Sequence, residues 1–213
     1  MCLYITGAGV SADSGIPTFR GHDGFWTIGS RNYTPQEMAT RRMYLENPAQ
    51  FLLWYFKRFA AYRHVRPNAV HGWLAAQCNG GAARLITQNI DGLDGKAGHR
   101  DYVAIHGRLD KMTVLHDQAI FDRDPGGASG QTPQTPLIDA PWDRVSAAVN
   151  EAVSIPIDDP QNDPQNDKIL TAALLDACQI TATGPQMGVS LKPYVLLFDE
   201  YYTDLYRMTE AEQ

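Results

Sequence analysis

A chain of 213 residues, 44% of them hydrophobic, can bury one sizeable core or a core plus a small module, and is too short for two full domains. Its net charge of −6 argues against a broad polyanion-binding surface, so neither nucleic acid nor an anionic membrane is expected as a partner. Cys2, Cys78 and Cys178 are odd in number and far apart, which excludes a disulfide framework; with no membrane-length run and no charged leader, a soluble intracellular protein is expected, its compartment and oligomeric state open.

Leu3, Tyr4 and Ile5 read as a short buried strand that breaks at once into Thr6-Gly7-Ala8-Gly9-Val10-Ser11-Ala12. Gly7, Gly9 and Ala12 match the G-x-G-x-x-G/A spacing by which a backbone turns tightly, approaches a pyrophosphate and starts a helix whose first donors face the anion. A plain strand-to-helix turn can carry the same spacing. Ser14-Gly15-Ile16-Pro17 ends that helix early, since Pro17 cannot continue it, and Phe19-Arg20 adds a ring and a permanent cation. His22 to Trp26 reads as a loop. Thr34 as cap and Pro35 at the first position open a mostly helical region to Arg66, whose strongest piece runs from Pro48 to Tyr62 with aromatics dense enough to be core. Asn68 caps a helix from Ala69 to Gln77, which Asn79-Gly80-Gly81 ends. Arg84 to Thr87 is a strand leading into Gln88-Asn89-Ile90-Asp91-Gly92-Leu93, and Val103 to Ile105 is another, stopping at His106-Gly107. This rhythm predicts a parallel sheet with crossovers and ligands at the carboxyl ends of its strands.

Beyond Leu109 the residues 124–136 read as loop, and the doubled Asp-Pro-Gln-Asn at 159–162 and 163–166 as a solvated spacer. Trp142 to Val153 and Lys168 to Cys178 read as two helices. Lys192 to Glu200 is predicted as a strand with a polar end, followed by a Tyr-rich helical tail.

The string from Ile5 to Gly21 resembles the first signature of the sirtuins, the NAD-dependent protein deacylases; Thr87 to Leu93 resembles the second and His106-Gly107 the third, in matching order and separation. The resemblance covers about 3–107 and 184–213. It implies an α/β fold, a Rossmann-like parallel sheet with helices on both faces, incomplete at the C-terminus, plus a small helical or irregular module. The expected division is 1–30 and 67–107 for the core, 31–66 for a helical insertion, 108–190 for a divergent small module, and 191–213 for the substrate strand and the start of a last helix. It implies NAD as cofactor, held by Gly7, Ala8, Gly9, Ser11, Asp13, Phe19, Arg20, Gln88, Asn89, Ile90 and Asp91, with His106 and Asn89 catalytic and an acylated-lysine protein or peptide as partner.

The chemistry explains those residue types. A base must take a ribose hydroxyl proton, which suits a neutral imidazole such as His106. Asp91 can accept a hydrogen bond from the nicotinamide amide and Asn89 can donate and accept. Phe19 can exclude water and Arg20 can hold phosphate bidentately. His71 is expected to be a packed helix residue. Val195, Leu196 and Phe198 lie in a stretch, Val195 to Glu200, that resembles the strand pairing with the acyl-lysine peptide. There Asp199 stands where glycine is commoner, either near the peptide channel, favouring basic flanking residues, or in solvent. Tyr55 and Arg58, spaced i, i+3, resemble the pair by which one sirtuin branch grips acidic acyl groups; alternatively Tyr55 is core and Arg58 a solvated charge.

Two departures qualify the resemblance. Met112-Thr113-Val114-Leu115 and Gly184-Pro185-Gln186-Met187-Gly188 occupy the places of the two zinc-binding Cys-x-x-Cys pairs, so no structural metal is expected, and Met112, Leu115 and Met187 are expected to cluster. The further βα elements with a Gly-Thr-Ser turn do not follow Glu200, so either the chain is a fragment or something else completes the sheet. The expected activity is transfer of an acetyl, succinyl or malonyl group from lysine to ADP-ribose with release of nicotinamide; the alternatives are an NAD hydrolase or ADP-ribosyl transferase, and an inactive sirtuin-like binding protein.

Overall fold

Two three-stranded sheets are joined at His106 and Gly107 in the computed structural model, which describes residues 2–18, 34–118, 135–149 and 164–213. The first sheet is parallel, in the order β1 (Cys2–Thr6), β2 (Ala83–Thr87), β3 (Val103–Ala104), with Thr6 beside Thr87 and Thr87 beside Ala104. Its three carboxyl ends therefore finish level. The second is antiparallel, with β4 (Gly107–Val114) between β5 (Ile138–Asp139) and β6 (Leu191–Val195).

The helices begin where capping chemistry places them. Thr34 and Glu37 form a reciprocal capping box on α1 (Pro35–Met38), Thr40 caps α2 (Arg41–Glu46), and Asn47 accepts from the Gln50 amide ahead of α3 (Pro48–Phe59). Asn68 and His71 box the start of α4 (Ala69–Asn79), and α5 (Leu93–Lys96) follows β2. Helix α3 is buried nearly all round: Phe51, Leu52, Trp54, Tyr55, Phe56 and Phe59 share one core with Leu109 and Met112 of β4, Val145 of α6 (Trp142–Val149), Leu170 and Leu174 of α7 (Pro164–Ala177) and Val195. The helical region and the segments beyond Gly107 thus share one core. Residues 204–206 form a 3-10 turn before the last helix, α8 (Met208–Glu212).

Several expectations change. The glycine turn opens a 3-10 helix, Ala8–Ser14, which stops at Gly15 in the left-handed region (φ 92°), two residues ahead of Pro17. Leu3 and Ile5 are 52% and 65% exposed, because β1 is an edge strand with β2 alone beside it among the described residues; only Tyr4 on the other face packs, edge-on, against Trp73. The strand before His106 stops as expected, at Ala104, but Gly107 at once begins another, β4. The strand expected over 192–200 stops at Val195, where its pairing with Gly107 runs out and the chain turns across the site. Pro164 to Asn166, expected as spacer, form the first turn of α7 together with Asp167, where proline's fixed φ suits the first helical position and Asp167 suits the positive helix end. Met112 and Leu115 join the main core, but Met187 is 53% exposed and lies instead against the Arg41 guanidinium. The loop expected from His22 to Trp26, the doubled motif's first copy and most of 124–136 lie outside the described residues.

Candidate functional site

The level strand ends set the site. Thr6 Oγ1 donates to Thr87 Oγ1 (2.9 Å), Thr87 Oγ1 accepts from the Asn89 amide (3.1 Å), and the Gln88 amide donates to the Thr6 carbonyl (3.0 Å), so the turns after β1 and β2 are bolted together. Asn89 Nδ2 then reaches the Gly7 carbonyl (3.1 Å) and Ser11 Oγ (3.2 Å). Ser11 is fully buried and its hydroxyl donates to Asp91 Oδ2 at 2.7 Å, with His71 Nε2 at 3.4 Å. Asp91 Oδ1 accepts from the Leu93 amide (2.8 Å). Asn68 closes the circuit by donating from Nδ2 to the Val10 carbonyl (2.7 Å).

His71, expected only to pack, is thus the far support of this network. Burial lowers its pKa, which keeps it neutral beside the Asp91 charge. The signal that could have found it is Asn68: a capping box at i, i+3 aims the imidazole back along the helix towards the glycine turn.

Neither Gly7 nor Gly9 is demanded by the chain's own packing. Gly7 is extended (φ −143°), a Cβ there would meet only Gln88 Oε1 at 3.9 Å, and one at Gly9 would meet nothing within 4 Å. The 3-10 helix offers no acceptor to the Ala8 and Gly9 amides, since the first bond inside it runs from Val10 to Gly7 (3.0 Å). Open space beside amide donors is what a phosphate requires.

His106 follows β3. Its Nδ1 is 2.8 Å from the Gln88 carbonyl, which can only accept, so Nδ1 carries the proton and Nε2 the lone pair; Nε2 is 2.7 Å from the Tyr202 hydroxyl. Desolvation lowers the His106 pKa, opposed by that carbonyl, and leaves a neutral imidazole at physiological pH. Gly107 fixes the turn after it: φ is +82°, and a Cβ would fall 2.0 Å from the Tyr194 carbonyl oxygen.

A cavity of about 810 Å³ opens in front of these groups. Of the residues expected at the site, Ala8, Gln88, Asn89, Ile90, His106, Tyr55, Val195, Leu196 and Phe198 line it. A smaller recess of about 30 Å³ beside it is walled by Ala8, Pro17, Asn89, Ile90 and Asp91. Gly7, Gly9 and Ser11 are not among the residues lining either space, Ser11 being buried and Gly9 exposed; Asp13 is exposed, and Arg58 is not among the lining residues of the large cavity but acts electrostatically on Tyr62. Phe19 and Arg20 lie outside the described residues. The Tyr55 hydroxyl is buried without a hydrogen-bond partner among the described residues, and burial raises its pKa far above the usual phenol value. Trp54, Phe59 and Tyr202, which the sequence reading did not single out, complete the apolar wall.

The stretch after β6 is strapped in place. The Leu196 amide donates to the His106 carbonyl (2.9 Å) and the Phe198 amide to the Ala39 carbonyl (3.0 Å). Asp199 neither lines the cavity nor meets solvent alone: its carboxylate accepts from the Arg41 (2.5 Å) and Arg42 (2.9 Å) amides and so binds the first turn of α2. Glu200, 3% exposed, receives Lys192 (2.8 Å), Arg41 (3.2 Å) and the Leu197 amide (3.1 Å).

The family model described as Sir2 family matches residues 7–212. The chain is 41% identical over 124 residues to NAD-dependent protein deacylase 2 of Pyrobaculum aerophilum, covering 58% of this chain and 48% of that protein. It is 42% identical over 108 residues to NAD-dependent protein deacylase 1 of Archaeoglobus fulgidus, covering 50% and 42%. It therefore spans less than half the length of these curated relatives. Among solved structures, a Sir2 homolog–NAD complex superposes with a TM-score of 0.57 at 26% identity, over 99% of this chain and 62% of that one.

Proposed function

The chain belongs to the Sir2 family, and from that premise we propose that it carries the catalytic face of an NAD-dependent protein-lysine deacylase. The observation that supports this most is the position of His106: a neutral imidazole, its tautomer set by the Gln88 carbonyl, lines the same cavity as Asn89 and the stretch 195–198.

The residues fit the dinucleotide. Ala8 and Gly9 would hold its pyrophosphate on free amide donors, and Asn89 with Asp91 would hold the nicotinamide end, Asp91 being aligned by Ser11. When bound, NAD supplies an electrophilic ribose carbon that exchanges nicotinamide for the acyl oxygen of a modified lysine. His106 then takes a hydroxyl proton at Nε2, and the Gln88 carbonyl steadies the imidazolium so formed through Nδ1. Val195 to Phe198 line the cavity beside His106 and would lie against an acyl-lysine peptide, and Trp54, Phe59 and Leu197 would exclude water around the acyl chain. The unpaired Tyr55 hydroxyl in that wall offers a polar acyl group one donor, which favours an acidic acyl chain over acetyl.

The test is nicotinamide release from NAD with no peptide, acetyl-lysine peptide and succinyl-lysine peptide. Release that requires acylated peptide, reduced roughly 10²–10⁴-fold in His106→Ala, is expected. Release without peptide would turn the reading to NAD hydrolysis, and none at all from folded protein would leave a binding protein. Loss of any succinyl preference in Tyr55→Phe or Arg58→Met is the expected mark of an acidic-acyl pocket; a preference that survives both removes it.

A further inference from the structure

Tyr202 has no part in the chemistry above, yet its hydroxyl lies 2.7 Å from His106 Nε2 within the cavity that both residues line. Since Nδ1 donates to Gln88, Nε2 has no proton to give and Tyr202 must be the donor. The one nitrogen on this imidazole that can take a proton is therefore covered. The two rings lie 5.8 Å apart at 32°, a tilted contact.

We propose that Tyr202 is a displaceable cap on the base: in the free chain its phenol fills the lone pair of His106, and a substrate hydroxyl must turn it out before proton transfer can begin. This deepens the reading of His106 as the base and rests on it. Three observations support a cap in place of a fixed strut. The backbone on either side is anchored, by the buried Glu200 and by Thr203, 6% exposed, whose hydroxyl accepts from the Leu205 amide at 3.3 Å. Between those anchors Tyr202 is 50% exposed, so rotation about its own χ1 would carry the ring off His106 and into solvent. Among the described residues its hydroxyl has one partner, His106, and a single neutral hydrogen bond is readily exchanged for another. The occupant that exchanges with it is a sugar-type secondary alcohol, able to donate to Nε2 as the phenol does.

The cap lowers the affinity of a hydroxyl-bearing ligand by the worth of that hydrogen bond, roughly three- to tenfold. Tyr202→Phe keeps the ring and deletes the donor. In the free protein labelled with ¹⁵N-histidine, this change is expected to shift the Nε2 resonance of His106 and leave Nδ1 in place; an unmoved Nε2 overturns the pair itself, whatever the protein's activity. By calorimetry with NAD and with ADP-ribose as probes, the variant is expected to bind roughly three- to tenfold tighter, with KM for NAD lowered to match. Equal or weaker binding overturns the cap while leaving His106 as base; so does a fall in kcat, the mark of a residue that moves the proton itself. If neither protein binds either probe, the proposed function falls and the cap with it.

Discussion

At the scale of single residues, three positions hold the site's geometry for distinct reasons. Gly107 is needed because the backbone of β6 passes where a side chain would start, and φ is positive; Gly107→Ala is expected to cost on the order of 4 kcal/mol in denaturant unfolding, since a backbone carbonyl cannot step aside. Ser11 joins His71, Asn89 and Asp91 through one oxygen, and Ser11→Ala leaves Asp91 short of a donor in a buried place. The expected cost is about 1–3 kcal/mol of stability with weakened NAD binding, read by melting with and without NAD. Asp94 works the other way. It is 3% exposed with Oδ1 unpaired, and burial followed by the nearby Asp91 charge pushes its pKa up to about 6. A carboxyl raised in the fold stabilises below its unfolded value near 3.8 and costs stability as pH climbs through about 6. Asp94→Asn is therefore expected to raise stability at pH 7.5 by on the order of 1–3 kcal/mol, and the gain should vanish near pH 4.

Between elements, two ion pairs differ in kind. Lys57 on α3 meets Asp167 on α7 at 2.8 Å with 1% of its side chain exposed, so removing the carboxylate takes a close counter-charge from a buried ammonium. Asp167→Ala is expected to cost about 3–5 kcal/mol, whereas Lys57→Met should be close to neutral, a contrast that chemical denaturation of the two variants would read. Arg42 with Glu46, both mostly exposed, should give nothing measurable on truncation. The carboxylate of Asp199 ties the site's strap to α2, and the same residue could not be placed from its neighbours in sequence, because the amides it caps lie 157 and 158 positions away.

For the whole molecule, the imidazoles set the acid limit. Desolvation lowers the folded pKa of His71, His99 and His106, so each resists a proton that the unfolded chain accepts near 6.5. Their contribution to stability is complete above that value and falls as pH drops below it; Asp94 runs the other way, gaining stability as pH falls from about 6 towards 3.8, and a thermal melt series from pH 7.5 to 5 should show Tm level above about 6.5 and declining below it. Much of the site was legible in the sequence: turn glycines, a capping residue before an amphipathic run and an imidazole before a glycine act over a few positions, and local sterics and hydrogen bonding fix what they do. Asn89, Gln88 and His106 arrive where expected because parallel strands of matched register end level. What only the tertiary structure decided are contacts between distant segments: the His71–Ser11–Asp91 bridge, the turning of Asp199 onto α2, the exposure of Leu3 and Ile5 on an edge strand, the start of α7 at Pro164 and the phenol of Tyr202 on the base. Each depends on which surfaces meet after the chain has closed loops of sixty residues or more, or on what packs alongside a short segment, and neither is encoded in the spacing of adjacent residues.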